Sequence, residues 1–224
     1  MHLRALQCND SAIMTRHSQI VNHPNIALAI EDVSLSRGGH PLLQGLTLNL
    51  GSGTVLWLTG PNGSGKTSLL LACAGLIPID QGCITWNGSK DPACHVRYAA
   101  FSGPEREGLT AGEDLKFWQK IHADPESTAE RLDPVGLKSF IDNPVTGLST
   151  GQSRRLALAR LTLMNTSIWL LDEPLVGLDK AGQALVMKAV AAHSEQGGIT
   201  LIASHQPLKL PNITAQQLIF EAVA

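Results

Sequence analysis

No run of this sequence is long and apolar enough to cross a bilayer. The longest candidates, near Leu69–Ile79 and Ile168–Leu171, are short and interrupted, whereas a spanning helix needs roughly 20 apolar residues. No charge dominates either: 17 Lys and Arg face 19 Asp and Glu, a formal net charge of −2. Such a balance gives no pull on a polyanion such as nucleic acid. Cysteine is sparse, and Cys8, Cys73, Cys83 and Cys94 form no C-x-x-C pair. Reduced thiols in a cytosolic protein are the expectation, two of them in apolar surroundings. Internal repeats and low-complexity tracts are also missing. What remains is 224 residues, 43% hydrophobic and 16% charged, room for one domain with a modest subdomain and a sizeable core.

Against this background one stretch carries chemistry: Gly60-Pro61-Asn62-Gly63-Ser64-Gly65-Lys66-Thr67. It follows the apolar run Thr54–Thr59, which reads as a buried strand, and precedes Ser68–Ala74, which reads as a helix. Strand, G-x-x-x-x-G-K-T and helix together are the context of a phosphate-binding loop. Glycines let the backbone curl so that successive N–H groups converge on phosphate oxygens. The helix N-terminus adds partial positive charge at the same point. Lys66 can reach the terminal phosphates, and the Thr67 hydroxyl can sit on a magnesium ion. A nucleoside triphosphate is the implied ligand, held by Gly60 through Ser68.

The rest of the chain falls into recognisable pieces. Residues 1–25 are polar and aperiodic, a loose N-terminal extension in which Met14 offers another start. No secretory apolar core or small-residue cleavage site is evident there. From Ile26 the pattern turns to short β runs: Ile26–Ile30 with Val33 and Leu35, a turn at Arg37–Pro41, then Leu46, Leu48 and Leu50. Cys83–Trp86 adds another strand, so an antiparallel patch flanks the nucleotide strand. Residues 96–101 form a strand entering the core sheet. Leu115, Trp118 and Ile121 define the buried face of an amphipathic helix, with Asp114, Lys116 and Lys120 off it. Trp118 is therefore expected in the core.

Two further groups point to chemistry. Ser149 is placed to cap the helix Ser153–Leu161. Downstream, the apolar strand Ser167–Leu171 ends in Asp172-Glu173. Adjacent buried carboxylates are costly, and strand ends in a parallel sheet lie beside the phosphate loop. Asp172 can hold magnesium through water, and Glu173, pointing elsewhere, can face an attacking water. After a helix over Lys180–Glu195, the strand Ile199–Ser204 delivers His205 to the same end of the sheet, where it can sense a phosphate. Leu218–Phe220 offers a last edge strand.

In order and spacing, Gly60–Thr67, Leu148–Gln152, Ile168–Glu173, Leu178-Asp179 and His205 resemble the Walker A, signature, Walker B, D-loop and switch-histidine motifs of ABC transporter ATP-binding subunits. The resemblance covers residues 26 to about 208. Leu148–Leu161 and Ser204–Leu208 are most similar to the ATPases of the haem-exporter-type complex of cytochrome c maturation, the CcmA group. Gly108–Leu115 is similar to that group's entry into the helical subdomain.

The resemblance implies an α/β fold, a P-loop NTPase (RecA-like) core with an antiparallel β subdomain and a small helical subdomain. The domains would be a 1–25 extension, a 26–208 ATP-binding domain with its helical subdomain at about 102–160, and a 209–224 C-terminal segment. It implies an ATPase using ATP and Mg2+, with Thr67 and Asp172 at the metal and Glu173 and His205 catalytic. Ser149, Gly151, Gln152 and Asp179 would contact the nucleotide of a second copy in a head-to-tail sandwich. A CcmB-like integral membrane subunit would be the partner, placing the chain peripherally on the cytoplasmic face of the inner membrane, with no nucleic acid involved. An ABC transporter for another substrate and a soluble or regulatory ABC ATPase stay open at this point. Three positions depart from the family pattern: Ser102 stands where most members have glutamine, Arg37 where an adenine-stacking aromatic is expected, and Thr150 at the signature's middle glycine.

Overall fold

Two glycines set the first hairpin. In the computed structural model, which describes residues 25–92, 95–101, 108–163, 166–210 and 213–221, β1 (Ala27–Arg37) and β2 (His40–Gly51) are joined by Gly38-Gly39 alone. Both glycines have positive φ (59° and 80°), as a tight two-residue hairpin turn requires. The five-residue turn expected at Arg37–Pro41 is therefore shorter, because Arg37 pairs directly with His40. Pro41 is tolerated since β2 is an edge strand. β4 (Gln81–Trp86) pairs with the other side of β1, completing an antiparallel sheet of order β2-β1-β4. The N-terminal extension with Met14, and Ser102, lie outside the described residues.

The second sheet is parallel. Its strands are β3 (Val55–Thr59), β5 (Val96–Ala100), β6 (Ile168–Asp172), β7 (Ile199–Ala203) and β8 (Gln216–Ile219), in the order β5-β6-β7-β3-β8. Every residue of β7, and all of β6 but Asp172, is buried, as in a sheet covered on both faces. On one face Leu58, Leu170 and Leu201 pack with Leu69 and Leu70 of α1 (Lys66–Cys73) and with Leu28 and Ile30 of the first sheet. On the other, Leu171 and Ile202 pack with Val186 and Val190 of α5 (Lys180–Glu195). That layer continues into Leu115 of α2 (Ala111–Ile121), Leu132 of α3 (Thr128–Leu132) and Leu156 of α4 (Thr150–Thr162). α1 starts two residues earlier than the sequence suggested, because Gly65, at φ 104°, makes the entry turn itself.

The face of α2 differs from expectation. Leu115 is buried and Trp118 half-buried, but Ile121 is 55% exposed and Asp114 is completely buried. At 100° per residue, Ala111, Asp114, Leu115, Trp118 and Gln119 share one stripe and Ile121 falls past its edge. Asp114 can occupy that stripe because Arg160 of α4 donates Nε to its Oδ2 at 2.5 Å, the pairing that makes a buried carboxylate tolerable. His193 of α5 is a second buried polar group. Its ring stacks on Trp169 at 4.0 Å, with Nδ1 against Thr200 Oγ1 and Nε2 against the Thr166 carbonyl, both at 3.0 Å.

Candidate active site

The site is assembled at the carboxyl ends of β3, β6 and β7. β3 runs straight into the glycine loop, and two of its glycines are there for space and backbone sign. Gly60 has φ 135°, and a Cβ at that position would lie 2.3 Å from the Phe220 carbonyl oxygen. Gly65 is left-handed, and its Cβ would press on Leu42 at 3.2 Å. Gly63 has open space around it, on the outer side of a loop whose Pro61, Asn62 and Thr67 are exposed while Ser64, Lys66 and Ser68 are buried. The Lys66 ammonium curls over the loop and donates to the carbonyls of Gly60 (2.8 Å) and Pro61 (2.7 Å). Burial pulls its pKa down, and the nearby charges of Glu173 and Asp172 oppose that shift. Ser64 Oγ is buried with no hydrogen-bond partner among the described residues.

β6 is separated from β3 only by β7, so its terminal carboxylate arrives at the start of α1. Thr67 Oγ1 donates to Asp172 Oδ2 at 3.0 Å and lies 3.2 Å from Oδ1. Tyr98 of β5 donates its hydroxyl to Asp172 Oδ2 at 3.3 Å. Burial, then the Asp172 charge and hydrogen bond, push the Tyr98 pKa up to about 12, so it stays a donor. Nothing in the sequence pointed to Tyr98, since a single tyrosine on a strand carries no motif.

Glu173 leaves the strand in the left-handed region, at φ 48°. Its N–H still donates to the Ala203 carbonyl at 2.9 Å, while the turn swings its side chain away from Asp172's direction. Glu173 Oε1 lies 3.3 Å from His205 Nε2. Its other oxygen, Oε2, is buried with no hydrogen-bond partner among the described residues. His205 follows β7, whose end is fixed by the Trp57 indole donating to the Ser204 carbonyl at 2.9 Å. Lys66, Thr67, Asp172, Glu173 and His205 are thus brought together, as the sequence motifs implied.

A second group lies apart. Ser149 caps α4, accepting from the Gln152 amide at 3.3 Å while Gln152 Oε1 accepts from the Ser149 N–H at 2.8 Å. Both side chains of this capping box are therefore engaged locally. A Cβ on Gly151 would lie 3.7 Å from the Gly177 carbonyl oxygen. Asp179 caps α5 through the Gly182 N–H (2.8 Å) and pairs with Arg155 Nη2 at 2.9 Å. The Gly182 amide first, then Arg155, hold its carboxyl below the usual range. No hydrogen bond or ion pair among the described residues links Ser149, Gly151, Gln152 or Asp179 to the glycine loop. Arg37 is exposed at the hairpin turn.

The donor set suits a triphosphate with magnesium. The loop offers backbone amides and one ammonium at a helix start, and Thr67 with Asp172 supplies a hydroxyl and a carboxylate, the hard oxygens Mg2+ prefers. Among the described residues no group of three or more His, Cys, Asp and Glu could hold a metal. An ion there would complete its shell with phosphate oxygens and water, as Mg2+ commonly does.

Comparison with known proteins decides the family. The sequence profile described as ABC transporter matches residues 43–176. The chain belongs to the ABC transporter family, among its CcmA proteins. It is 39% identical over 190 residues to the Cytochrome c biogenesis ATP-binding export protein CcmA of Chelativorans sp. (strain BNC1), covering 82% of this chain and 93% of that one. The protein of the same name from Rhodobacter capsulatus is 41% identical over 183 residues, 82% of this chain and 83% of the relative. Among solved structures, the ATP-binding subunit of an ABC transporter superposes with a TM-score of 0.70 at 23% identity, covering 80% of this chain and 79% of that chain. An ATP-binding cassette in its ADP conformation does so at 0.67 and 21%, covering 83% of each. As a family member the chain is an ABC-type ATP-hydrolysing subunit. Among the described residues no helix is long and apolar enough to cross a membrane.

Proposed function

We propose that this chain is the ATPase of a haem-exporter-type complex of cytochrome c biogenesis, coupling ATP hydrolysis to a membrane partner. Both relatives from Chelativorans and Rhodobacter capsulatus are cytochrome c biogenesis ATP-binding export proteins, which supports that branch over transporters of other substrates. The observation that carries the chemistry is the joining of two pairs at adjacent strand ends: Thr67 with Asp172, and Glu173 with His205.

In this reading Gly60 through Ser68 bind the phosphates, and Lys66 exchanges its loop carbonyls for phosphate oxygens. Thr67 and Asp172 hold Mg2+, which when bound neutralises charge developing on the transferred phosphoryl group. Tyr98 orients Asp172. Glu173 accepts the proton of the attacking water at Oε2, and His205 fixes that carboxylate through Oε1. Two chains pack head to tail, so that Ser149, Gly151, Gln152 and Asp179 of one complete the site of the other. The α4 N-terminus supplies amides suited to a γ-phosphate.

The unit boundaries follow the same reading: an extension at 1–25, the ATP-binding domain at 26–208 with a helical subdomain at about 102–160, and a C-terminal segment at 209–224. Residues 102–147 dock the membrane subunit, a CcmB-like protein, which places the chain peripherally at the cytoplasmic face of the inner membrane. ATP-driven closure moves that subunit only if it binds the two states differently.

The test is an affinity purification of the chain from detergent-solubilised membranes. A multi-span subunit arriving with cytochrome c maturation proteins is the expected result. A subunit of an unrelated transport system refutes the haem assignment, and no membrane subunit at all refutes the coupling.

A further inference from the structure

His205 reaches Glu173 from an irregular segment, since β7 ends at Ala203. Its side chain is 44% exposed, with Nε2 3.3 Å from Glu173 Oε1, so core packing does little to fix the ring. Its placement depends on how the backbone around it is held. Buried Ser204 supplies one tie. Its Oγ accepts from the Gln206 N–H at 3.0 Å and donates to the Gln206 carbonyl at 3.2 Å, a side-chain turn around His205. The other tie comes from a different element. Gln183, in the first turn of α5, donates from Nε2 to Gln206 Oε1 at 3.0 Å and to the Leu178 carbonyl at 3.3 Å. A carbonyl only accepts, so Leu178 fixes the orientation of the Gln183 amide, and Gln206 answers with its oxygen. One NH2 group thus joins the segment that carries His205 to the turn 174–179 that leaves Glu173. The base from which it reaches is stiff. Asp179 caps α5 through the Gly182 N–H, the Gln183 N–H donates to the Asp179 carbonyl at 2.9 Å, and a Cβ on Gly182 would lie 2.9 Å from Leu178 Cδ2.

We infer that Gln183 is a positioning residue of the hydrolytic site, holding His205 against Glu173 through Gln206. The inference rests on the proposed role of the Glu173–His205 pair and adds the residue that keeps its two halves in register. The two segments already meet once through the backbone, where the Glu173 N–H donates to the Ala203 carbonyl at 2.9 Å. Gln183 adds a side-chain bridge between the same two segments, so the imidazole and the carboxylate are set by ties on both. Without that bridge the His205 segment keeps only the Ser204 turn, and the ring can swing away from Glu173. Lys66, Thr67 and Asp172 share no hydrogen bond with Gln183 among the described residues. ATP binding therefore survives the loss, and the defect falls on the chemical step.

The experiment measures steady-state phosphate release by the full-length chain with ATP and Mg2+. Gln183→Leu removes both donated bonds at similar side-chain size and should lower kcat about tenfold. Its KM for ATP should stay within about twofold of wild type. Gln206→Leu, outside the helix, should reproduce that pattern, so the inference stays testable if Gln183→Leu folds poorly. The deciding readout is a double-mutant cycle with His205→Ala. That single variant should lose about 10²-fold in kcat. If Gln183 acts through His205, adding Gln183→Leu to His205→Ala should lower kcat by less than about twofold more, because effects on one shared contact do not add.

A full further loss in the His205→Ala background overturns the inference, since it assigns Gln183 a general structural role. Wild-type kcat in both Gln183→Leu and Gln206→Leu overturns it as well, as does a raised KM with kcat unchanged. Those results leave the Glu173–His205 reading standing. Wild-type turnover by His205→Ala instead removes that reading, and this inference with it.

Discussion

Glu173 bears a backbone cost that its neighbours do not. A non-glycine residue in the left-handed region costs of order 1–3 kcal/mol and persists only where its surroundings over-determine it. Here the Ala203 carbonyl takes its N–H and His205 takes one carboxylate oxygen, leaving Oε2 buried without a protein partner among the described residues. In the proposed mechanism that oxygen is the acceptor for the proton of the attacking water. Glu173→Gln keeps the shape and removes the proton acceptor, so turnover should drop about 10²–10⁴-fold with ATP affinity retained. Wild-type phosphate release by that variant would show that Glu173 is not the base. Lys66→Ala acts on a different step. It deletes the ammonium in the phosphate cradle, and equilibrium binding of a fluorescent ATP analogue should be lost; retained affinity would undo the phosphate-loop reading. Both residues were legible in the sequence because each sits in a motif whose flanks dictate its context. Tyr98 was not legible. Its role follows from β5 lying beside β6 in the sheet, and strand order is not written locally.

At the scale of elements, the helices show why a periodic pattern is only part of the instruction. The apolar period of α2 identified a helix but included Ile121 on the buried face and left Asp114 off it, because a carboxylate is priced as exposed unless its partner is known. That partner, Arg160, is 46 residues away. The joint between α2 and α3 depends on a similar long side-chain contact. Arg131 donates Nη2 to Asp124 Oδ1 at 2.5 Å, and Gln119 donates to Asp124 Oδ2 at 2.8 Å. Burial alone would raise the Asp124 pKa, but the Arg131 and Gln119 hydrogen bonds and the Arg131 charge outweigh it and hold it below 3.8. A carboxyl depressed in the folded state contributes stability that is present above its ordinary pKa and lost as pH falls through the folded value. Hydrogen exchange of the α2 and α3 amides should therefore accelerate as pH falls below about 3.8, once the intrinsic exchange rate is divided out. Arg131→Met should cost about 3 kcal/mol at neutral pH by stranding a buried carboxylate and should flatten that acid limb. An unchanged limb would assign it to other carboxylates.

For the whole molecule, the two sets of candidate functional residues sit on one chain without a hydrogen bond or ion pair between them among the described residues. The first is gathered where β3, β6 and β7 end; the second lies at the starts of α4 and α5, where Ser149 and Gln152 each accept from the other's backbone N–H and Asp179 accepts from the Gly182 N–H and Arg155. The motifs forecast both sets, and placing Asp172 and His205 at strand ends beside the phosphate loop already called for a parallel sheet. The sequence did not reveal that Gln152 would close a capping box with Ser149 or that Asp179 would cap α5, since a capping role and a nucleotide contact ask for the same residue types. In the proposed head-to-tail pair, each site takes its glycine loop from one chain and its α4 N-terminus from the other. That arrangement can be separated from two independent sites by mixing. A Lys66→Ala chain lacks the phosphate loop but keeps Ser149, and a Ser149→Arg chain has the reverse defect. Each alone should be inactive, because a pair of identical defective chains has no complete site. Mixed in equal amounts, half of the pairs are hybrids, each with one intact site, so phosphate release should return to about a quarter of wild type if the sites act independently. Size-exclusion chromatography with light scattering should show the hybrids only with ATP present. Appreciable turnover by either chain alone would mean that one copy suffices, and a mixture that neither associates nor hydrolyses would exclude the shared site.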